Sequence, residues 1–99
     1  MHVVTLTYVA PLTDIDAALD DHVAWLDENF SDGTFLASGR RDPRVGGVIL
    51  VADIPRTELD ARLARDPFGR RGLAEYSVAT FHPSRAAYGL ETLIATPPA

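Results

Sequence analysis

The sequence predicts an α+β fold with the element order β-α-β-β-α-β, and three observations support this prediction. Between Asp14 and Phe30, apolar residues recur at the spacing of an amphipathic helix. Four shorter segments are rich in β-branched and aromatic residues and are separated by turns that contain proline or glycine. A length of 99 residues fits one domain. This order is the ferredoxin-like arrangement, a four-stranded antiparallel sheet with both helices on one face.

Caps, prolines and glycines set the boundaries of the predicted elements. Thr13 or Asp14 is expected to cap the first helix, and Gly33 to supply the left-handed residue after it. The second helix ends near Arg65, because the residue before Pro67 is pushed out of the helical region. The predicted strands are 2–10, 34–38, 47–52 and 74–82, the helices 14–30 and 53–65, and a tight turn 68–72. The single domain spans residues 1–99 and ends in a C-terminal arm at 86–99.

Composition and charge argue against several classes of protein. The formal net charge is −5, which argues against nucleic-acid binding. The chain contains no cysteine, which excludes disulfides and thiolate metal sites and fits a reducing cytosol. No apolar run reaches the roughly 18 residues of a membrane span, and the first residues lack a signal-peptide pattern. We therefore expect a cytoplasmic protein that does not contact membranes.

The pattern of the strands predicts a partner subunit. The third strand is apolar at every position, so both faces of the sheet need cover. Two short helices cover only one face, and a domain of this size buries only about 60–65% of the surface of its extended chain. We therefore expect a homodimer in which two sheets close a barrel, with a pocket for a small molecule at its mouth.

His22 lies in the middle of the apolar stripe of the first helix, between Leu19 and Leu26. One interpretation is a neutral core histidine bonded to a backbone carbonyl. The other is a general acid or base, because imidazole exchanges protons near neutral pH. Such a group needs an acceptor that fixes its tautomer, and Asp66 is the candidate. Asp66 has a structural interpretation as well, as the N-cap of a short turn that begins at Pro67.

Other residues are weaker candidates for contacts with a substrate. Ser38 and Gly39 end the second strand and can present a hydroxyl or a backbone N–H to a ligand. Arg65 can attract an anionic substrate, and Phe68 is expected to contact the ligand. The three histidines show no metal-ligand spacing and no glycine-rich phosphate loop is present, so we expect neither a metal nor a cofactor.

Several segments resemble the YciI-like (YCII-related) family. The chain resembles it from the first strand to Pro83, and the helix-one histidine and the Asp-Pro-aromatic motif are its most specific marks. The resemblance implies a dimeric α+β barrel and a paired His22 and Asp66 in a pocket. Arg40 departs from the family, in which proline often follows Ser-Gly. The matching segments are His22-Val23-Ala24-Trp25-Leu26, Phe35-Leu36-Ala37-Ser38-Gly39, Gly46-Gly47-Val48, Arg65-Asp66-Pro67-Phe68 and Gly72-Leu73-Ala74-Glu75-Tyr76.

Two functional hypotheses follow, and a third rests on analogy of fold alone. The first is a cofactor-independent lyase or isomerase in which His22 moves a proton, Asp66 holds its tautomer, and Ser38 or backbone N–H groups bind developing negative charge. The second is a non-catalytic homodimer that binds a small ligand or a protein, with His22 and Asp66 as a buried structural pair. The third is cofactor-free monooxygenase chemistry, for which no motif is present.

Overall fold

The structure is a computed structural model of the chain and is described for residues 1–94. It contains four strands, three helices and one 3-10 turn at Glu91–Leu93. In chain order the elements are β1 (His2–Tyr8), α1 (Leu12–Ser31), β2 (Phe35–Arg40), β3 (Gly46–Val51), α2 (Arg56–Leu63), α3 (Pro67–Arg70) and β4 (Ala74–Thr80).

The strands form one antiparallel sheet in the order β2-β3-β1-β4, with β1 between β3 and β4. The predicted α+β, ferredoxin-like fold is confirmed. Register assigns the two faces of the sheet, because paired residues lie on the same face. Leu6 pairs with Gly47 on one side and with Tyr76 on the other, so these three residues share the face that carries the helices.

The hydrophobic core fills the space between this face and the helices. It is formed by alternate residues of the strands together with the inner sides of all three helices. The indole Nε1 of Trp25 on α1 donates a hydrogen bond of 3.0 Å to the Arg62 carbonyl, which joins α1 to α2. The buried core residues are Val4, Leu6, Ile15, Ala18, Trp25, Phe35, Ile49, Val51, Leu59, Leu63, Phe68 and Ala74.

The opposite face of the sheet carries no helix. Val3, Thr5, Val48 and Leu50 lie on it and remain half-buried. It therefore matches the uncovered apolar face that the strand pattern predicts.

The buried side of α1 is rotated from the predicted stripe. The buried line contains His22, Trp25 and Asn29, whereas Leu19 and Phe30 are each 37% exposed. The predicted stripe consists of Ile15, Leu19, Leu26 and Phe30. Ile15 is fully buried as predicted, but the centre of the stripe is wrong by part of a turn. His22 nevertheless lies on the inner side of the helix.

Several predicted boundaries also differ from the structure. Neither Thr13 nor Asp14 caps α1: the helix begins directly after Pro11, and the Asp14 N–H bonds to the Pro11 carbonyl at 2.9 Å. The predicted tight turn at 68–72 is mostly α3, followed by Gly72 at a φ of 68°. Gly33, at a φ of 78°, has the predicted left-handed conformation. β2 continues two residues past Ser38, to Arg40.

The chain after β4 has little regular structure up to Ile94. Leu93 and Ile94 line a cleft together with Met1 and Leu36, so this part of the predicted arm lies near β1 and β2. The remainder of the arm, residues 95–99, lies outside the described residues. Within residues 1–94, no helix is long and apolar enough to cross a membrane.

Candidate functional site

His22 and Asp66, 44 residues apart in the sequence, meet between α1 and the start of α3. The His22 Nδ1 lies 2.7 Å from Asp66 Oδ1, and the Asp66 side chain is fully buried. A carboxylate accepts hydrogen bonds, so Nδ1 carries the proton and Nε2 is the acceptor nitrogen. The pair has the geometry of a base and the group that orients it.

The Asp66 carboxylate accepts two further hydrogen bonds. Oδ1 also accepts from the Phe68 backbone N–H at 3.0 Å, which makes Asp66 the N-cap of α3. Oδ2 accepts from the Tyr76 hydroxyl at 2.5 Å. Three donors therefore satisfy the two oxygens of one buried carboxylate, which offsets the cost of removing it from water.

Tyr76 reaches Asp66 because Gly69 leaves the space free. A Cβ atom at Gly69 would lie 2.8 Å from the Tyr76 hydroxyl oxygen. Burial, followed by the hydrogen bond to Asp66, raises the pKa of Tyr76 far above its ordinary value of 10.0. The phenol therefore keeps its proton and remains a donor to Asp66.

Aromatic rings hold the imidazole of His22 in place. The Phe68 ring stacks on it, with ring centroids 3.9 Å apart and planes inclined by 7°. Trp25 lies on another side, with a centroid distance of 5.5 Å, and Tyr8 packs edge-on against Phe68. These contacts, together with the bond to Asp66, restrict rotation of the imidazole about both of its side-chain torsions.

The imidazole of His22 lines a cleft of about 160 Å³ between α1 and the strands β1, β2 and β3. In residues 1–94, no fully buried side-chain nitrogen or oxygen lacks a hydrogen-bond partner. The structure gives Nε2 no partner, so this nitrogen is accessible from the cleft. The lining residues are Leu6, Tyr8, Leu19, His22, Val23, Leu26, Ser38, Gly39, Arg40, Gly46, Gly47, Val48, Ile49 and Phe68.

The cleft also accounts for the apolar flank of α1 that is not part of the core. Leu26 lines the cleft and also packs against the core. Leu19 and Val23 line the cleft and are 37% and 42% exposed. Their apolar character is therefore explained by a cavity next to the imidazole.

The structure brings together most of the predicted site residues. Ser38, Gly39 and Phe68 line the cleft with His22, and Asp66 lies behind the imidazole. Arg65 is not brought to this site. It lines a different cleft, formed by α1 and α2 around Arg62.

Tyr76 and Arg40 are site residues that the sequence prediction did not include. Tyr76 is the only phenol on the inward-facing positions of β4, a pattern that could have identified it. Among residues 1–94, no group of three or more His, Cys, Asp or Glu side chains is placed to hold a metal ion.

The fold and this site define a small α+β domain with a buried histidine–aspartate pair beside a cleft. The YCII-related domain model matches residues 1–82, and the chain belongs to this family. Among solved structures, 5-chloro-2-hydroxyhydroquinone dehydrochlorinase from Burkholderia phenoliruptrix, in complex with 2,5-dihydroxybenzoquinone, matches with a TM-score of 0.68 and 18% identity. The match covers 85% of this chain and 97% of that one, which confirms the fold. No curated protein sequence matches the chain.

Replacement of Tyr76 by phenylalanine tests the third hydrogen bond to Asp66. We expect a loss of about 1–2 kcal/mol of unfolding free energy near neutral pH, because Asp66 Oδ2 loses its donor. Because the pKa of Tyr76 is raised in the folded state, the folded protein keeps the phenol proton at a pH where the unfolded chain, with a tyrosine pKa of about 10, has released it. The contribution of the Tyr76 hydrogen bond to stability is therefore complete below about pH 10 and declines as the pH rises above it.

Urea unfolding of the wild type and of Tyr76→Phe between pH 7 and 11 measures both effects. The variant should show a shallower alkaline decline than the wild type. Tyr88→Phe is the matched control, because Tyr88 is fully exposed and its replacement should change neither quantity. Equal alkaline slopes in the wild type and Tyr76→Phe would contradict the role of the phenol.

Proposed function

We propose that this chain is a cofactor-independent enzyme of lyase or isomerase type that moves a proton on a small ring compound bound beside His22. One observation carries the proposal. A fully buried Asp66 carboxylate lies 2.7 Å from Nδ1 of an imidazole whose other nitrogen is accessible from a cleft. A base held in one tautomer beside a ligand-sized cavity is suited to proton transfer.

The proposed step assigns a role to each part of the site. Nε2 of His22 takes a proton from a carbon of the bound compound, and the electron pair of the broken C–H bond stays on the compound, where it is delocalised onto an oxygen. The Asp66 carboxylate stabilises the imidazolium that forms, and Tyr76 keeps that carboxylate in position. The Ser38 hydroxyl at the edge of the cleft is the group proposed to bind developing negative charge on an oxygen of the compound.

The solved structural neighbour supports the class of reaction. By its name, that protein removes HCl from a chlorinated hydroxyhydroquinone, and its structure holds 2,5-dihydroxybenzoquinone. Loss of HCl is a lyase-type reaction that requires removal of a proton. Its particular substrate is not part of the proposal for this chain.

Proton exchange tests this function before the substrate is known. Hydroxylated benzoquinones and benzenediols, including 2,5-dihydroxybenzoquinone, are incubated with the wild type in D₂O, and loss of C–H signals is followed by ¹H NMR. We expect at least one compound to exchange faster than without protein, and His22→Ala to slow that exchange at least about 100-fold. Asp66→Asn should also slow it, because it keeps an acceptor but removes the charge that stabilises the imidazolium.

His82→Ala is the matched control, since His82 is exposed and lies outside the cleft. Exchange that persists unchanged in His22→Ala would contradict a catalytic role for the imidazole. Absence of exchange with every compound would favour the second function considered below.

A non-catalytic ligand-binding protein is the second candidate, and one observation favours it. Asp66 caps α3 and bonds to β4 through Tyr76, so the His22–Asp66 pair also joins three elements of the fold. Loss of stability in Asp66 variants is therefore expected under both functions. For this reason proton exchange distinguishes them better than stability does.

We also propose that the protein is a homodimer in which the helix-free faces of two sheets pack together. This face presents valine, leucine, threonine, serine and alanine side chains, and the register places Glu75 of β4 on it. The Arg41 guanidinium also reaches this face, where it donates to the Thr7 hydroxyl at 3.1 Å. A surface of this kind is complementary to a second copy of itself, because apolar and β-branched side chains pack well between facing sheets.

Light scattering tests the dimer. We expect the wild type to have about twice the 10.7 kDa mass of one chain. Leu50→Glu should give the single-chain mass, because it places a charge at a central position of the face. Leu12→Glu is the control, since Leu12 is exposed on α1, away from this face. A single-chain mass for the wild type would contradict the proposed dimer.

A further inference from the structure

Arg40 is the only arginine or lysine among the residues of the described chain that line the His22 cleft. The two other arginines around the β2–β3 turn have partners: Arg41 donates to the Thr7 hydroxyl at 3.1 Å, and Arg44 pairs with Asp16. Within residues 1–94, Arg40 takes part in no ion pair or side-chain hydrogen bond. Its guanidinium is therefore available to a ligand.

The register of β2 explains why Arg40 lies at the cleft. Ser38 pairs with Ile49 and Arg40 pairs with Gly47, so Ser38 and Arg40 share the inner face of the sheet with the core residue Ile49. Gly47 has no side chain, which leaves room beside the Arg40 side chain on this face. Arg40 and Ser38 are thus two neighbouring polar groups on one wall of the cleft.

The local charge of the cleft differs from that of the whole chain. The chain carries a net charge of −5, yet none of the residues of the described chain that line the cleft is a carboxylate. Leucine, valine, isoleucine and phenylalanine make up much of its wall. An anion in the cleft would be attracted by the Arg40 guanidinium and would not be repelled by a carboxylate on the wall. The apolar surroundings strengthen the attraction between the anion and the guanidinium.

The size of the cleft suits one ring with a small substituent. Its volume is about 160 Å³. An apolar cavity of about 150 Å³ holds benzene. A benzene-sized ring with one planar anionic group therefore fits if the charged group lies toward the open side, where Arg40 is exposed.

We infer that the cleft selects a single-ring compound with a carboxylate or similar anionic group, and that Arg40 is the residue that holds this group. The fork of N–H donors on a guanidinium matches the two oxygens of a carboxylate. The inference rests on the proposed function only in placing the compound beside His22. Specificity for the anion is a separate property and does not require catalysis.

Benzoate and benzamide test this inference, because they have the same size and shape and differ in charge. Affinities are measured by NMR titration, and the His22 ring signals report whether each compound occupies the cleft. We expect the wild type to bind benzoate about tenfold more tightly than benzamide, a modest ratio because Arg40 is partly solvated. Added NaCl should reduce this ratio through screening.

Arg40→Gln should abolish the preference for benzoate and leave the affinity for benzamide unchanged. Arg41→Gln is the matched control: the neighbouring arginine already has a partner, so its replacement should leave the preference intact. Arg40→Lys should keep part of the preference, because the charge remains while the bidentate geometry is lost.

The outcomes separate this inference from the proposed function. The inference is wrong if both compounds shift the His22 signals but bind equally well, or if Arg40→Gln keeps the preference for benzoate. In either case the binding of a ring compound beside His22 is still supported. If millimolar benzoate and benzamide both leave the His22 signals unchanged, the inference is wrong and the proposed binding of ring compounds beside His22 is contradicted as well.

Discussion

The buried Asp66 carboxylate is the constraint on which this structure depends. Transfer of a carboxylate into a protein interior costs several kcal/mol unless hydrogen bonds and an opposite or polar partner compensate. Here the compensation comes from His22 of α1, the Phe68 N–H of α3 and the Tyr76 hydroxyl of β4. The charge is tolerated only when these three elements take their observed positions.

This requirement links the fold to the candidate site. The hydrogen bond from His22 helps to compensate the burial of Asp66, and it also orients the imidazole. The packing of the fold therefore places the accessible Nε2 at the cleft. Phe68 contributes twice, with its N–H bonded to Asp66 and its ring stacked on His22. The same contacts therefore suit a structural pair and a catalytic pair. Measurement of proton transfer in solution shows whether the pair also has a catalytic role.

Much of the fold could be predicted from the sequence because it follows from local pattern. The 3.6-residue period identifies α1, and the order of the apolar segments identifies the antiparallel sheet. The rotation of α1 could not be predicted, because the apolar residues Leu19 and Val23 line the cleft and lie outside the buried core. Periodicity does not distinguish these two kinds of apolar surface.

His22 and Asp66 could be predicted as site residues because their residue types and the surrounding motif agree. The positions of Arg65 and Arg40 could not, because they depend on side-chain direction and strand register. Arg65 and Asp66 are adjacent, yet Asp66 is buried beside His22 and Arg65 lines another cleft, since neighbouring side chains point in different directions. The sequence pattern predicts that β2 ends at Ser38 and that Gly39 to Gly47, which contain Arg40, form a turn. Two further residues of pairing with β3 bring Arg40 to the cleft wall.

The protonation site of His22 tests the central claim most directly, and ¹H–¹⁵N NMR of the histidine rings at neutral pH measures it. We predict that the neutral His22 ring carries its proton on Nδ1. His2 provides an internal contrast: its Nε2 lies 2.7 Å from the Ile54 carbonyl, so its proton should lie on Nε2. The His22→Ala variant assigns the signals. A His22 ring protonated on Nε2, with a bare Nδ1, would contradict the account.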